Sequence, residues 1–371
     1  LKSEVSKQID EMLKLGIIRE SNSPMASPLV CVLKGPNGQD GVRLVCDLRF
    51  INKFSVADEF PMGDISGILQ RIGGSRYISK FDVKSAYWQT AVKEEDRWLT
   101  AFICDRGQFE WNRTPFGARN AGASWCRAVK KVIEPISEFT DSYVDDMCVF
   151  SDGWGQHLRQ VELYFKEIRK SGLTLSISKS EWAKPEIKFC GQIVGSGQRR
   201  ADPDKVAAVS KMEEPQTKKQ VRQVMGFFSY FREYIADFSA IAKPLTDLTV
   251  KSATNRIQMN ADARVAFERL KTELCKATNQ SLQIVSLDKP FNLYVDASDY
   301  AVAGILTQPD AECHDRPIAF YSSKLTPTQK NWSTVEKEAY AALSGLQKFR
   351  MWIFGAPVTV HSDHNPLTYL T

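Results

Sequence analysis

Asp145 and Asp146 stand side by side in a stretch that is otherwise apolar, with Tyr143-Val144 before them and Met147-Cys148-Val149-Phe150 after. Two adjacent carboxylates cannot be buried unpaired in such surroundings. The flanks therefore read as two strands and the acids as the tip of the hairpin that joins them. An isolated Asp-Asp pair is most often an ordinary turn, because aspartate favours turns. This pair gains weight from a third acid, Asp82, which ends the strand-like run from Tyr77 to Phe81. A fold that carries three carboxylates on strand ends must hold them at an edge where water or cations can reach.

The pattern along the chain is mixed. Val5, Ile9, Met12 and Leu13 follow helical spacing and Gly16 supplies a stop. Leu29–Leu33 and Val42–Cys46 read as the two strands of a long hairpin whose tip is the Gly-rich segment from Gly35 to Gly41. Leu158, Val161, Phe165 and Ile168 fall on one helical face closed by Gly172, after which Leu173, Leu175 and Ile177 alternate as in a half-buried strand. Residues 204–250 read as mostly helical and include the aromatic run Phe227-Phe228-Ser229-Tyr230-Phe231. Interleaved strands and helices of this kind predict an α+β sheet backed by helices, of the split βαβ type.

A second compositional unit begins near Pro290. Phe291, Leu293 and Val295 alternate with polar residues, Val335, Ala339, Ala342, Leu346 and Phe349 are spaced as one face of a helix, and Val358 and Val360 alternate again. Strand, helix and strand each carry an acid: Asp296, Glu338 and Asp363. At 371 residues the chain exceeds what one core usually organises, so several domains are expected. It begins at Leu1 and stops at Thr371 just after a strand-like segment, which reads as a piece of something longer.

Other classes find little support. No apolar run approaches the roughly 18 residues needed to cross a bilayer, and the N-terminus lacks a signal-peptide pattern. The eight cysteines are scattered singly, as expected of free thiols in a reducing compartment. His361 and His364 form an H-x-x-H without a cysteine partner, too little for structural zinc. A net charge of +5 permits nucleic-acid binding without requiring it. Two carboxylates about 4 Å apart in a partly wet site repel by roughly 4 kcal/mol, so each acid set makes sense with hard divalent cations present.

Three ordered blocks turn this pattern into a resemblance: Phe81-Asp82-Val83-Lys84-Ser85-Ala86-Tyr87, then Thr114-Pro115-Phe116-Gly117-Ala118-Arg119-Asn120-Ala121, then Tyr143-Val144-Asp145-Asp146. Preceded by Gly16-Ile17-Ile18-Arg19-Glu20-Ser21 and the segment Arg43 to Asn52, they make the chain similar to the reverse transcriptase and RNase H portion of gypsy-class LTR retrotransposon polyproteins along its whole length. The blocks around Asp296, Glu338-Ala339-Tyr340-Ala341 and His361-Ser362-Asp363-His364 match the RNase H part. The resemblance implies a right-hand polymerase fold of fingers, ferredoxin-like palm and thumb, followed by a partial RNase H-like α/β domain. It also implies boundaries: fingers and palm over 1–196, thumb and connection over 197–285, and an RNase H-like domain over 286–371.

Carried over residue by residue, Asp82, Asp145 and Asp146 would hold the polymerase metals, and Asp296, Glu338 and Asp363 those of RNase H, with two Mg²⁺ per site and Mn²⁺ as a substitute. Glu338 is preferred to Glu336 because Glu338 and Ala341 satisfy the family's Glu-x-x-Ala. Lys34, Arg43, Tyr87, Phe116 and Lys179 would bind the incoming nucleotide, Tyr87 as the gate against a 2′-hydroxyl and Lys179 as a proton donor to pyrophosphate. Phe189, Cys190 and Gly191 would contact the primer terminus. Three positions depart from the family: Gly122 replaces a usual proline, Ser180 follows Lys179 where cysteine is common, and Cys190 stands for leucine. The family's fourth RNase H acid falls beyond Thr371, so weak or absent hybrid cleavage is expected.

The implied activity is RNA-directed DNA synthesis with hydrolysis of RNA in hybrids. The implied partners are an RNA or DNA template, a DNA or tRNA-type primer, dNTPs, an RNA:DNA hybrid and flanking protease and integrase, without a membrane, in the cytoplasmic virus-like particle of the element. Arg199, Arg200, Lys205, Lys211, Lys218, Lys219 and Arg222 between 197 and 222 are either a solvated face or a thumb surface for the duplex. A decayed or domesticated copy that only binds nucleic acid is the alternative, and six intact acids argue against it.

Overall fold

The computed structural model describes residues 2–33, 35, 41–250 and 254–363. Its contacts divide the chain into two units, one of Leu1–Ile68 with Arg76–Lys184 and one of Leu69–Ser75 with Pro185–Thr371.

In the first unit, the acid-tipped hairpin and the strand ending near Asp82 share one antiparallel sheet, in the order Thr140–Tyr143, Asp146–Ser151, Tyr77–Val83, Leu175–Lys184. Alternation along a strand sends successive side chains to opposite faces. Phe81 and Val83 accordingly pack with Met147 and Val149 against Trp125 and Val129 of the helix Ala121–Ile133 and Tyr164 and Ile168 of the helix Trp154–Ser171. Lys80 and Asp82 thereby fall on the other face. The helix Trp154–Ser171 ends as predicted on Gly172, at φ 73°.

The strand after it departs from expectation. Leu173 lies before the strand, and Ile177 is exposed. The cause is a shift of register against Tyr77–Val83 at two places, between Ile78 and Lys80 and between Lys80 and Asp82. Extra residues on the outer strand break the period-two pattern there.

Beside this sheet in sequence lies a five-stranded one, in the order Ile18–Glu20, Gly107–Trp111, Phe102–Cys104, Ser27–Leu33, Val42–Cys46. Ser27–Leu33 and Val42–Cys46 form the long hairpin, paired from Leu29 with Cys46 to Leu33 with Val42. The helix Lys2–Lys14 closes that core with Ile9 and Met12.

The second unit contains a small antiparallel sheet, Glu186–Phe189, Gln192–Gly195, Gln198–Ala201 and Leu282–Gln283. Its helical core includes Phe228, Phe231, Phe267 and Leu270. The last sheet runs Asp315–Lys324, Ala301–Pro309, Phe291–Ala297, Val358–His361, with the final pair parallel. A parallel pair needs a crossover, and the helix Thr334–Ile353 provides it.

The face that helix buries is offset from the expected one. Val335 is exposed, while Glu338, Ala341, Gly345 and Phe349 are buried. Gly345 lets the helix approach closely, since a Cβ there would stand 3.0 Å from Leu293 and 3.1 Å from Tyr321. Arg199, 2% exposed, ties the two sheets of this unit together through Glu233 Oε2 at 3.0 Å and the Ile318 carbonyl at 3.0 Å. All eight cysteines are free, and no described helix is long and apolar enough to cross a membrane.

One buried titratable group braces the first sheet from its helix side. His157, 1% exposed, meets Ser79 Oγ through Nε2 at 2.8 Å and Ser151 Oγ through Nδ1 at 2.9 Å. The Ser151 hydroxyl donates to Gln160 Oε1, so Nδ1 carries the proton and Nε2 accepts from Ser79. Burial holds the His157 pKa below its ordinary value. The unfolded chain thus binds the proton more readily than the folded one. The stabilising contribution is complete above the unfolded pKa of about 6.5 and is lost as pH falls through the lowered value. In thermal melts between pH 7.5 and 5, the native chain is expected to lose more stability than His157→Gln.

Candidate polymerase and metal-binding sites

The two-residue turn Val144-Asp145 joins Tyr143 to Asp146, which pair across the hairpin. Val144 is at φ 55°, a conformation a β-branched residue resists. Tertiary contacts impose it. The indole Nε1 of Trp125, a residue 0% exposed, donates to the Val144 carbonyl at 2.5 Å, and the Val83 N–H donates to the Asp145 carbonyl at 2.9 Å. Asp82 pairs directly with Asp146 across the neighbouring strands.

Three acids on facing strand ends repel one another, and lysines answer two of them. Lys80 Nζ lies 3.2 Å from Asp146 Oδ1, and Lys179 Nζ 3.5 Å from Asp82 Oδ2. Burial raises the Asp146 pKa, Asp145 and Asp82 push the same way, and Lys80 opposes them. Lys179 reaches Asp82 because it lies in the larger irregularity of its strand, between Ser176, the partner of Asp82, and Glu181, the partner of Lys80. Bulges of this kind re-aim side chains beside functional sites. The Ser180 hydroxyl donates to the Ser176 carbonyl at 3.0 Å and closes the irregularity, so the departure from cysteine supplies a local bond.

The aromatic residues form a wall next to the acids. Tyr87 and Phe116 meet edge to face at 5.5 Å, Trp88 stands 5.8 Å from Phe116, and the Arg43 guanidinium lies 5.6 Å from the Phe116 ring centre. Burial raises the Tyr87 pKa, with the negative charge of Asp145 next in weight. Lys34, the other expected nucleotide ligand, lies outside the described residues. A Cβ at Gly122 would meet Met62 Sδ at 3.5 Å and Tyr87 Oη at 3.9 Å, ordinary contact distances, so no close approach requires glycine there.

Phe189, Cys190 and Gly191 belong to the second unit. Phe189 pairs with Gln192 across a tight turn whose central residues, Cys190 and Gly191, have φ 49° and 77°. Positive φ at both positions is the type I′ requirement. Phe189 is 0% exposed and anchors the turn, which leaves Cys190 and Gly191 as its accessible part. The Tyr230 hydroxyl donates to the Cys190 carbonyl from the following helical region.

Asp296, Glu338 and Asp363 converge in that unit with one carboxylate oxygen each, all within 4.8 Å of one another. They are the only three-acid group so close among the described residues. Asp296 and Asp363 each lie two residues beyond the pair Tyr294 and His361 of the parallel strands. Glu338 arrives from one turn inside its helix, 4% exposed, and accepts the Ala297 N–H at 3.2 Å. Ser333 caps that helix with the Glu336 carboxylate, which accepts the Ser333 N–H at 2.7 Å and hydroxyl at 2.9 Å. Glu336 is thereby committed to the cap. Three hard oxygen donors at this spacing fit a divalent cation. His361 instead stacks on Tyr294 at 4.4 Å and approaches Asn292 Oδ1 at 3.3 Å, while His364 lies outside the described residues.

Lys80 and Trp125 escaped the sequence reading. Alternation alone could have signalled Lys80, two residues before Asp82 and hence on its face. Trp125 carried no such signal, because an aromatic at helical spacing reads only as core.

Residues 33–194 match the family described as reverse transcriptase (RNA-dependent DNA polymerase), and residues 286–371 the RNase H-like domain found in reverse transcriptase. The chain is 36% identical to the retrovirus-related Pol polyprotein from transposon opus of Drosophila melanogaster over 100% of its own length, and 34% identical to that from transposon gypsy of the same organism over 98%. It spans 38% and 36% of those relatives. Among solved structures it is similar to a foamy viral protease-reverse transcriptase in complex with double-stranded DNA, at TM-score 0.85 and 25% identity over 100% of this chain and 64% of that one. A second, in complex with an RNA/DNA hybrid, gives TM-score 0.79 and 26% identity over 98% and 48%.

The held turn makes two expectations concrete. Trp125→Phe keeps an aromatic side chain but removes the indole donor to the Val144 carbonyl and vacates buried volume, which together should cost about 2–4 kcal/mol in urea denaturation. Gly122→Ala should fold normally and gain up to about 1 kcal/mol, the usual advantage of alanine within a helix.

Proposed function

The chain is a reverse transcriptase segment with a fingers, palm and thumb fold joined to an RNase H-like domain, of the kind carried by LTR-retrotransposon Pol polyproteins, and from that premise we propose that it extends a primer with dNTPs on an RNA or DNA template. The observation that carries the reading is the pairing of Asp82 with Asp146 across adjacent strands, with Asp145 at the turn between Tyr143 and Asp146. Fingers and palm are assigned to 1–196, thumb and connection to 197–285 and the RNase H-like domain to 286–371.

Two divalent cations, Mg²⁺ or Mn²⁺, would supply activation of the primer 3′-hydroxyl and stabilisation of the leaving pyrophosphate. Asp82 and Asp145 would hold them, with Asp146 completing the set and Lys80 limiting its charge. Lys179 would pass a proton toward pyrophosphate. Tyr87, stiffened by Phe116, would close the space a 2′-hydroxyl needs. Arg43 and Lys34 would grip the triphosphate through charge-assisted bonds. The turn Phe189-Cys190-Gly191 would support the primer end. Asp296, Glu338 and Asp363 would hold the cations that hydrolyse RNA in a hybrid. The duplex, a tRNA-type primer and flanking protease and integrase are the proposed partners, in a cytoplasmic virus-like particle.

Primer extension on an RNA template with dNTPs and Mg²⁺ tests the polymerase. The native chain should extend, and Asp145→Asn should fall by at least about a hundredfold, as when a group serving the transition state is removed. A folded native chain without extension would leave only a nucleic-acid-binding fragment. For the second site, calorimetric titration with Mn²⁺ should show weaker binding in Glu338→Gln, and any cleavage of labelled RNA in a hybrid should be lost with it.

A further inference from the structure

The ladder between Tyr77–Val83 and Leu175–Lys184 ends where Val83 faces Leu175. One residue further, the Lys84 N–H still donates to the Thr174 carbonyl at 3.0 Å. The chain then reverses through Ser85, at φ 51°, into the short 3-10 helix Ala86–Gln89 that carries Tyr87. A non-glycine residue in the left-handed region is held only by its surroundings.

The side chain of Gln89 supplies that hold. Its Nε2 donates to the Lys84 carbonyl at 2.5 Å and to the Thr174 carbonyl at 2.9 Å, and its Oε1 accepts the Thr174 N–H at 2.8 Å. One carboxamide thus bridges the backbone two residues after Asp82, the backbone five residues before Lys179, and its own helix. Both amide hydrogens and the oxygen are engaged, a combination that only a carboxamide of this length provides.

We propose that Gln89 is a positioning residue for nucleotide addition, locking the relative placement of Asp82, Lys179 and Tyr87; the proposal rests on the polymerase reading above. Gln89 touches none of the reacting groups. Its bonds lie partly in solvent, so their loss changes global stability little, whereas in-line transfer is sensitive to small misplacement of the groups that align it.

The test uses the full chain and its Gln89→Met variant, which keeps bulk and removes all three bonds. Single-nucleotide incorporation is measured on a primed RNA template, beside duplex affinity, circular dichroism and amide exchange. The expected result is a fall in kcat of about tenfold or more, with duplex affinity and melting unchanged and faster exchange at the Thr174 amide. Incorporation at the native rate, or a loss matching the fraction unfolded, would overturn the proposal. Absence of incorporation by the folded native chain would remove the polymerase reading, and the proposal with it.

Discussion

Mutual repulsion of carboxylates on facing strand ends is the constraint around which the first unit is arranged. Asp82 and Asp146 face each other because the hairpin register places them so, and Asp145 follows from the turn. Like charges held on facing strand ends repel one another. Tertiary structure must therefore impose the arrangement. It does so with the Trp125 indole on the turn, the Val83 amide on Asp145 and a lysine beside each of Asp82 and Asp146. The strained φ of Val144 and the bulged strand that delivers Lys179 are local costs of the same arrangement.

The second acid set solves a similar problem differently. Here one carboxylate comes from a helix, and the close packing allowed at Gly345 brings that helix against the sheet. Asp296 and Asp363 are exposed while Glu338 is buried and braced by the Ala297 amide. A capped helix and two strand ends are stiff supports, so three oxygens can converge within 4.8 Å where the hairpin acids do not.

Much of this was readable from the residues. Periodicity placed the helix closed by Gly172 and the hairpin of 29–33 with 42–46, and the order of the acid blocks pointed to the family. Reading failed where local rules are overridden. Ile177 broke alternation because its strand bulges, and Val335 left the buried face because the helix turns Glu338, Ala341 and Gly345 inward. Phe189 is buried at the base of its turn, and burial of one side chain beside a two-residue turn is not written in its neighbours. Gln89 acts through Thr174, a partner distant in sequence, which no single-segment pattern reveals.

The capping box at the head of the crossover helix also fixes a distance. With Ser333 and Glu336 locked together, Glu338 has one possible azimuth on the helix. Each residue advances an α-helix by about 100°, so a one-residue insertion or deletion between the cap and Glu338 would swing the carboxylate away from Asp296 while leaving the helix intact. In descent, the length of that short interval is held as tightly as the carboxylate it delivers.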